Sequence, residues 1–224
     1  MPPEAARRGR GRPRNIAATA QRKNDILSSA SRLFALNGYA GTDVDSVAAK
    51  MDISKGTIYR YFASKRELFF AAVDHEIQRL KTRVSEIHGE FNNPLDQIVL
   101  ATSAYLGFFK ENPHAVEIIM QERAAFPGRD SRIWPDGDSS TLGRWRDSIQ
   151  GLMEAGYIRP IPLDSLLEVL SNLLYGTVMS DTLRRKDLDL LALSRSTLDI
   201  VLCGVTTAKA RQEWGLEIGP PQSD

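Results

Sequence analysis

Cysteine and histidine are scarce in this chain of 224 residues, which has one cysteine, Cys203, and three histidines. A single cysteine excludes an internal disulfide and a zinc site built from several cysteines. No stretch approaches the roughly 18 consecutive apolar residues that a membrane span requires, and the N-terminal segment lacks the apolar run of a secretory signal. We therefore expect no membrane partner, and the reducing cytoplasm as the compartment.

Motifs of the common catalytic sites are also missing. The chain contains no HExxH, P-loop, GxGxxG or GxSxG pattern, and His75, His88 and His114 are scattered along it. Cys203 lies in an apolar stretch, which favours a buried structural thiol over a nucleophile. The sequence therefore predicts no catalytic residue, no cofactor and no metal site, and it disfavours an enzyme.

What the chain does have is a strong asymmetry of charge. Residues 1–66 carry 13 Lys and Arg against 5 Asp and Glu, a net charge of +8, whereas the remainder carries 16 against 23, a net charge of −7. A basic front part is typical of proteins that meet a polyanion such as nucleic acid. On charge alone, a basic tail without a partner is the alternative.

Apolar residues recur at helical spacing along most of the chain, and strand signals are weak. We therefore predict an all-α fold. The expected helices cover about 19–36, 43–51, 55–61, 65–87, 94–110, 113–125, 141–155, 163–185 and 188–209.

The segment 42–61 contains two short helices separated by three or four residues, which is the helix-turn-helix arrangement. Thr42 is the predicted N-cap of the first helix and Ser54 that of the second. The free N–H groups after Ser54 and the charge of Lys55 favour a phosphate at this helix start. Gly56 lets the backbone approach the sugar-phosphate wall.

The outer face of the second short helix carries side chains suited to a duplex. Thr57 and Arg60 are expected to project outward, where an arginine can bind guanine O6 and N7 together. The phenols of Tyr59 and Tyr61 suit phosphates, although half-buried packing is the alternative for Tyr61. Lys65, at the start of the next helix, can hold a further phosphate. Most of these contacts position a protein on DNA without specifying sequence.

The run NGYAGTDVDSVAAKMDISKGTIYRYFASKRELF, residues 37–69, resembles the DNA-binding signature of the TetR/AcrR family of bacterial regulators. The resemblance is good over about residues 17–75, and it places Thr42 at the opening of the second helix. It implies a transcriptional repressor that binds a palindromic or near-palindromic operator as a homodimer. It also implies that a small-molecule effector releases the operator.

Composition and this resemblance together divide the chain into four units. They are a disordered basic arm (1–16), a three-helix DNA-binding domain with the helix-turn-helix (17–66), a helical ligand-binding and dimerisation domain (67–212) and a flexible tail (213–224).

The last two predicted helices are too apolar to stand alone, which independently favours a partner surface. The resemblance implies that they pair with their copies in a four-helix bundle, with the two recognition helices about 34 Å apart, one duplex turn. The predicted dimer residues are Leu166, Leu170, Leu174, Leu198, Val201 and Leu202.

Aromatic and methionine side chains in the C-terminal part suit a pocket for a mainly apolar ligand. The mid-helix residues Phe108, Met120, Trp145 and Tyr175 are the predicted ligand contacts, with core packing as the alternative role of each.

The N-terminal arm contains Arg10-Gly11-Arg12-Pro13-Arg14, which resembles an AT-hook. Arg10, Arg12 and Arg14 would then enter the narrow minor groove of A·T-rich DNA, and unspecific attraction by a disordered tail is the alternative. The arm also suggests an alternative function, in which the chain is an architectural protein that binds A·T-rich DNA without ligand control. Such a protein has no need of the large acidic helical part.

Overall fold

The computed structural model describes residues 16–87, 94–129, 142–180 and 188–215, and these residues form ten α-helices. The helices are α1 (Ile16–Gly41), α2 (Val44–Lys50), α3 (Lys55–Tyr59), α4 (Lys65–Ser85), α5 (Pro94–Glu111), α6 (Pro113–Ala125), α7 (Leu142–Glu154), α8 (Leu163–Met179), α9 (Leu190–Val205) and α10 (Ala208–Trp214). Across the same residues, the one β contact is an isolated bridge between Ile158 and Thr206. The prediction of an all-α fold is confirmed.

Residues 16–72, called the head below, comprise α1, α2, α3 and the first two turns of α4. Apolar side chains one turn apart on α1 and α4 meet the inner faces of the two short helices, because each helix has only one apolar stripe to bury. The core of the head is at most 4% exposed at each position and consists of Ile26, Ala30, Phe34, Val44, Val47, Ile58, Phe62, Leu68 and Phe69.

The core continues from the head along α4 into the rest of the molecule. Helix α4 packs against α1, α5 and α6, and its buried residues extend from Leu68 to Val84. The domain boundary predicted between residues 66 and 67 falls in the first turn of α4, and one continuous buried cluster crosses it.

A second apolar cluster holds α7, α8 and the end of α9 together. Its buried members are Ile149, Leu152, Ile158, Leu166 and Val205. No helix among the described residues is both long and apolar enough to span a bilayer.

The helix predicted over 188–209 is in fact two helices, because α9 ends at Val205 and α10 begins at Ala208. Thr206 is extended, and its Oγ1 donates a hydrogen bond to the carbonyl of Leu202 at 2.7 Å. Thr207 caps α10, and its backbone N–H donates to the carbonyl of Tyr157 at 2.9 Å. The break between α9 and α10 is therefore stabilised by hydrogen bonding to a segment about 50 residues earlier in the chain. Local helix propensity gives no sign of such a long-range contact.

Helix α1 runs beyond its predicted end at Leu36 and continues to Gly41. Gly38 interrupts it with a φ of 78° and a ψ of 165°, a conformation that glycine adopts without steric cost. The predicted N-cap of α2, Thr42, is wrong: Asp43 caps that helix, and its carboxylate accepts a hydrogen bond from the backbone N–H of Ser46 at 2.7 Å.

A buried carboxylate fastens α4 to the start of α6. Glu76 is fully buried; its Oε2 accepts a hydrogen bond from Arg79 at 2.6 Å, and its Oε1 lies 3.4 Å from Nε2 of His114. Arg79 also donates to Oδ1 of Asn112 at 3.0 Å. Because a buried charge is tolerated only when it is paired, this cluster constrains how α6 sits on α4.

The end of α6 is fastened to the head by Phe126 and Arg129. Arg129 lies over the ring of Phe70 and pairs with Asp74 of α4 and with the fully buried Glu122, at 3.2 Å from the latter. Phe126 contacts three aromatic rings at centroid distances between 4.9 and 5.8 Å, those of Tyr39, Phe69 and Phe70.

Candidate nucleic-acid interface and apolar cavity

The turn between α2 and α3 is short and closed by backbone hydrogen bonds. The N–H groups of Met51 and Ile53 both donate to the carbonyl of Ala48, at 3.2 and 3.1 Å. Asp52, between them, has a φ of 53°, a left-handed conformation that aspartate tolerates better than most residues. The turn therefore holds α3 at a defined angle to α2, as the helix-turn-helix prediction requires.

One face of α3 is buried in the head, and the opposite face is open to solvent. Ile58 and Phe62 are buried in the head. Ser54 caps the helix as predicted, and its Oγ accepts a hydrogen bond from the N–H of Thr57 at 3.2 Å. Around Gly56, a side-chain carbon would meet only Ser54 Oγ, at 3.9 Å, so the helix start is open to a close neighbour.

The outer face of α3 has the exposure that DNA contact needs. Lys55, Tyr59 and Arg60 are exposed, while Thr57 and Tyr61 are half-buried. The guanidinium of Arg60 lies 5.9 Å from the centroid of the Tyr61 ring. This arrangement places the charged and hydrogen-bonding groups of α3 on one open side above an apolar base.

Two lysines flank this surface, and both have partners within the chain. Nζ of Lys55 donates a hydrogen bond to Asp45 at 2.6 Å, and this bond raises the pKa of the ammonium group. Nζ of Lys65 donates to the carbonyl of Ala40 at 3.2 Å and lies 4.8 Å from the centroid of the Tyr39 ring. The pairing of Asp45 with Lys55 was missed, because in the sequence Asp45 fits the role of a capping residue.

Two groups of residues predicted to bind DNA do not belong to this described surface. Thr42 is 1% exposed, and its Oγ1 donates to the carbonyls of Leu33 and Gly38 at 3.1 and 2.9 Å. Its side chain therefore fastens the end of α1 and points away from solvent. Arg10, Arg12 and Arg14 lie outside the described residues.

An apolar cavity of about 140 Å³ lies between α4, α5, α7, α8 and α9. None of its described lining residues carries a formal charge. The wall consists of Val84, Ile98, Ala101, Thr102, Tyr105, Trp145, Ile149, Ile158, Leu166, Leu167, Leu170, Ser171, Leu174, Leu198, Val201, Leu202 and Val205.

Of the four predicted ligand contacts, only Trp145 lines this cavity. Phe108 is buried and borders a separate polar cleft, with Arg79 over its ring at 5.5 Å. Met120 is exposed on α6, and the ring of Tyr175 lies 4.4 Å from the guanidinium carbon of Arg123. A mid-helix position therefore predicts neither burial nor which neighbour the side chain meets.

The six leucine and valine residues predicted for a dimer interface all line the cavity. Leu166, Leu198 and Leu202 are buried within the protomer, and so present no apolar surface to a second copy in this conformation. The same two helices expose apolar residues on their outer sides. These exposed residues are Val169, Leu173, Leu191 and Ile200.

Comparison with known proteins agrees with this geometry. The family model described as "Bacterial regulatory proteins, tetR family" matches residues 26–72, which is the described head without the first ten residues of α1. The chain is 22% identical over 141 residues to the HTH-type transcriptional regulator HbdR of Aromatoleum sp. (strain CIB). It is 31% identical over 100 residues to the HTH-type transcriptional repressor KstR of Rhodococcus jostii (strain RHA1).

These alignments cover 63% and 45% of this chain and 62% and 46% of the two relatives, so the chain spans less than two thirds of either relative's length. The structure of the ketosteroid transcriptional regulator KstR2 of Mycobacterium tuberculosis is similar over more of the fold. It has a TM-score of 0.59 and 26% identity, with 83% of this chain and 95% of that chain covered.

The matched segment contains the whole helix-turn-helix, and the similarity to solved regulators extends through the helical C-terminal part. This is a family of regulators and not of enzymes, in agreement with the absence of catalytic motifs. The head of this chain is therefore a DNA-binding domain of the tetR family of helix-turn-helix transcriptional regulators.

Proposed function

We propose that this protein represses transcription by binding a palindromic operator as a homodimer, and that a small, mainly apolar ligand releases it. The observation that carries the proposal is the open outer face of α3. Lys55, Tyr59 and Arg60 are exposed there, above the buried Ile58 and Phe62. A rigid base under exposed polar groups is what a helix needs to enter a major groove in one orientation.

On DNA, the start of α3 would lie against a phosphate. The N–H groups after Ser54 and the ammonium group of Lys55 supply positive potential there, and Lys65 supplies a second charge at the start of α4. Thr57 and Arg60 are the candidates for base contacts. Because Lys55 is paired with Asp45 at 2.6 Å, binding exchanges that ion pair for a phosphate contact.

A second copy would cover the outer faces of α8 and α9. Val169, Leu173, Leu191 and Ile200 are exposed there, and burying them favours association through the hydrophobic effect. The proposed interface residues therefore differ from those predicted from the sequence, although they lie on the same two helices. The symmetric pairing of two such helices gives a closed dimer, which matches the symmetry of a palindromic site.

The effector would occupy the apolar cavity, and α4 would connect it to the head. Leu68 of α4 lies in the core of the head, whereas Val84, four turns later, lines the cavity. A ligand that favours a different position of the cavity walls would therefore shift α4 and change the spacing of the two α3 helices. It can do so only through its differential affinity for the two arrangements.

The basic arm would add contacts in the minor groove. Arg10, Arg12 and Arg14 belong to this proposal on sequence grounds alone, since narrow A·T-rich grooves attract arginine. An architectural DNA-binding protein would spread along such tracts. The cavity and the apolar outer faces of α8 and α9 favour the regulator instead.

Selection of bound duplexes from a random pool with the full chain, followed by footprinting, tests the proposal. We expect a symmetric protected site with half-sites one helical turn apart. Lys55→Glu should reduce the affinity for the selected site at least about tenfold, because it replaces a phosphate contact by repulsion. Arg159→Glu, an exposed change of the same charge far from α3, should leave it unchanged.

The proposal fails if Lys55→Glu binds the selected duplex as tightly as the unaltered protein. Protection that spreads over A·T-rich tracts without symmetry would favour the architectural alternative.

A further inference from the structure

The described cavity wall is mostly apolar, and two of its hydroxyl groups lie close together on α5. Thr102 and Tyr105 are each 6% exposed and line the cavity together with Ile98 and Ala101. Residues three or four apart share one face of a helix, so the two hydroxyl-bearing side chains lie side by side, one turn apart. The remaining polar side chains of the described wall are those of Trp145 and Ser171, and they come from other helices.

Neither hydroxyl of this pair has a hydrogen-bond partner among the described residues. The other buried serine and threonine hydroxyls do have one. Ser31 donates to Ala72, Thr42 to Leu33 and Gly38, Ser194 to Leu190 and Thr206 to Leu202, all to backbone carbonyls.

The described side-chain oxygens that are both buried and without a hydrogen-bond partner do not include the hydroxyl oxygens of Thr102 and Tyr105, which are therefore accessible from the cavity. Two accessible hydroxyl groups without an intramolecular partner on one apolar wall are available to a polar group that enters the cavity.

The chemistry of the wall limits what that group can be. Burial raises the pKa of Tyr105, so the phenol stays neutral and can either donate or accept a hydrogen bond. Its ring is held by an edge contact with Phe109, at 5.2 Å between centroids. No described lining residue carries a charge, and an unpaired ion is strongly disfavoured in such surroundings. An uncharged polar group therefore fits this wall better than an ion.

We propose that the cavity binds a compact, uncharged hydrocarbon-like ligand with one hydroxyl or carbonyl group, which Thr102 and Tyr105 recognise by hydrogen bonds. This inference rests on the proposed role of the cavity as the effector site. A volume of about 140 Å³ resembles that of apolar protein cavities that accept a molecule such as benzene. The ligand class is thus a small aromatic or branched alkyl alcohol or ketone, and not a carboxylate or a phosphate ester.

Three probes of matched shape test this inference on the full chain: toluene, p-cresol and p-toluate. Calorimetric titration at pH 7 should show p-cresol binding about three- to tenfold more tightly than toluene, as one or two neutral hydrogen bonds provide. Binding of p-toluate should be undetectable. Tyr105→Phe and Thr102→Val should bring the affinity for p-cresol close to that for toluene, without weakening toluene.

Thermal unfolding without any probe supplies an independent readout. Because Thr102→Val removes an unpaired hydroxyl, it should leave the melting temperature unchanged or raise it. The matched change Thr206→Val removes a hydroxyl that is hydrogen-bonded at 2.7 Å, and it should lower the melting temperature. A hydroxyl pair with a merely structural role would make Thr102→Val destabilising as well.

Equal binding of p-toluate and p-cresol, a p-cresol preference that survives both substitutions, or no binding of any probe would each overturn the inference. Operator binding is measured without probes, so these outcomes leave the DNA-binding proposal intact. Loss of operator binding would likewise not alter the preference among the probes.

Discussion

The head and the helices around the apolar cavity, called the cavity region below, differ in how densely their interiors are packed. In the head, the rings of Phe34 and Tyr39 lie 5.0 and 4.9 Å from that of Phe69, and the buried Ser31 and Thr42 are hydrogen-bonded. The cavity region keeps about 140 Å³ of open volume. A close-packed core resists deformation, whereas a partly empty one can repack. The head thus holds α3 in one geometry, whereas the cavity region has room to repack.

Truncating one core side chain in each region gives the largest expected effect and tests this comparison directly. Phe34→Ala should lower the free energy of unfolding by about 3–5 kcal/mol, because the dense surroundings cannot close over the cavity it creates. Leu202→Ala, at the cavity wall, should cost about 2 kcal/mol, since part of that side chain already faces open space. Urea unfolding measures both, and equal losses would contradict the comparison.

The ion cluster between α4 and α6 should show an intermediate effect that depends on pH. Burial raises the pKa of Glu76, but the hydrogen bond from His114 and the charge of Arg79 outweigh it, so the pKa lies below its ordinary value of 4.5. Such a carboxylate stabilises the fold above its unfolded pKa and loses this contribution as the pH falls through its folded pKa. Glu76→Gln should therefore cost about 2–3 kcal/mol at pH 7.

The difference between Glu76→Gln and the unaltered protein should shrink as urea unfolding is repeated at pH values falling from 4.5 to 3. Glu86→Gln removes an exposed carboxylate just after α4 and should change stability by less than about 0.5 kcal/mol at any of these pH values. A constant difference for Glu76→Gln across this pH range would show that the ionised carboxylate is not what stabilises the junction.

The smallest expected effect concerns the surface of the head. Asp45→Asn should leave the unfolding midpoint unchanged, because the Lys55 pair is exposed to solvent. It should raise the affinity for the selected duplex about two- to fivefold and leave the slope of the salt dependence nearly unchanged, since Lys55 makes the same phosphate contact but no longer has to leave a partner. Filter binding over a range of salt concentrations measures both.

Asp52→Asn is the matched control, because it removes an exposed negative charge from the turn between α2 and α3 without releasing a lysine. An equal gain for the two variants would mean that general charge, and not the release of Lys55, determines the affinity.

Local signals were enough to predict the head but not the cavity. Ser64 caps α4, and its Oγ accepts from the N–H of Glu67 at 3.1 Å, as its short-range pattern indicates. Thr42 and Asp43 are neighbours, and both residue types are good N-caps. Because the side chain of Thr42 is buried against α1, Asp43 is the residue that caps α2. On α8 and α9 the apolar residues occupy more than one face, so periodicity could not tell the inner face from the outer one.

The attachment of Phe126 and Arg129 to the head has a consequence for how this protein can be recombined. A segment ending at residue 72 would leave the rings of Tyr39, Phe69 and Phe70 without the cover that Phe126 provides. A segment ending at residue 66 would also lack Phe69 and Phe70. The exchangeable unit therefore includes α6 and residues 126–129 as well as the helix-turn-helix. A chimaera that transplants only the first three helices onto another regulator needs a compatible aromatic residue at the end of that regulator's α6.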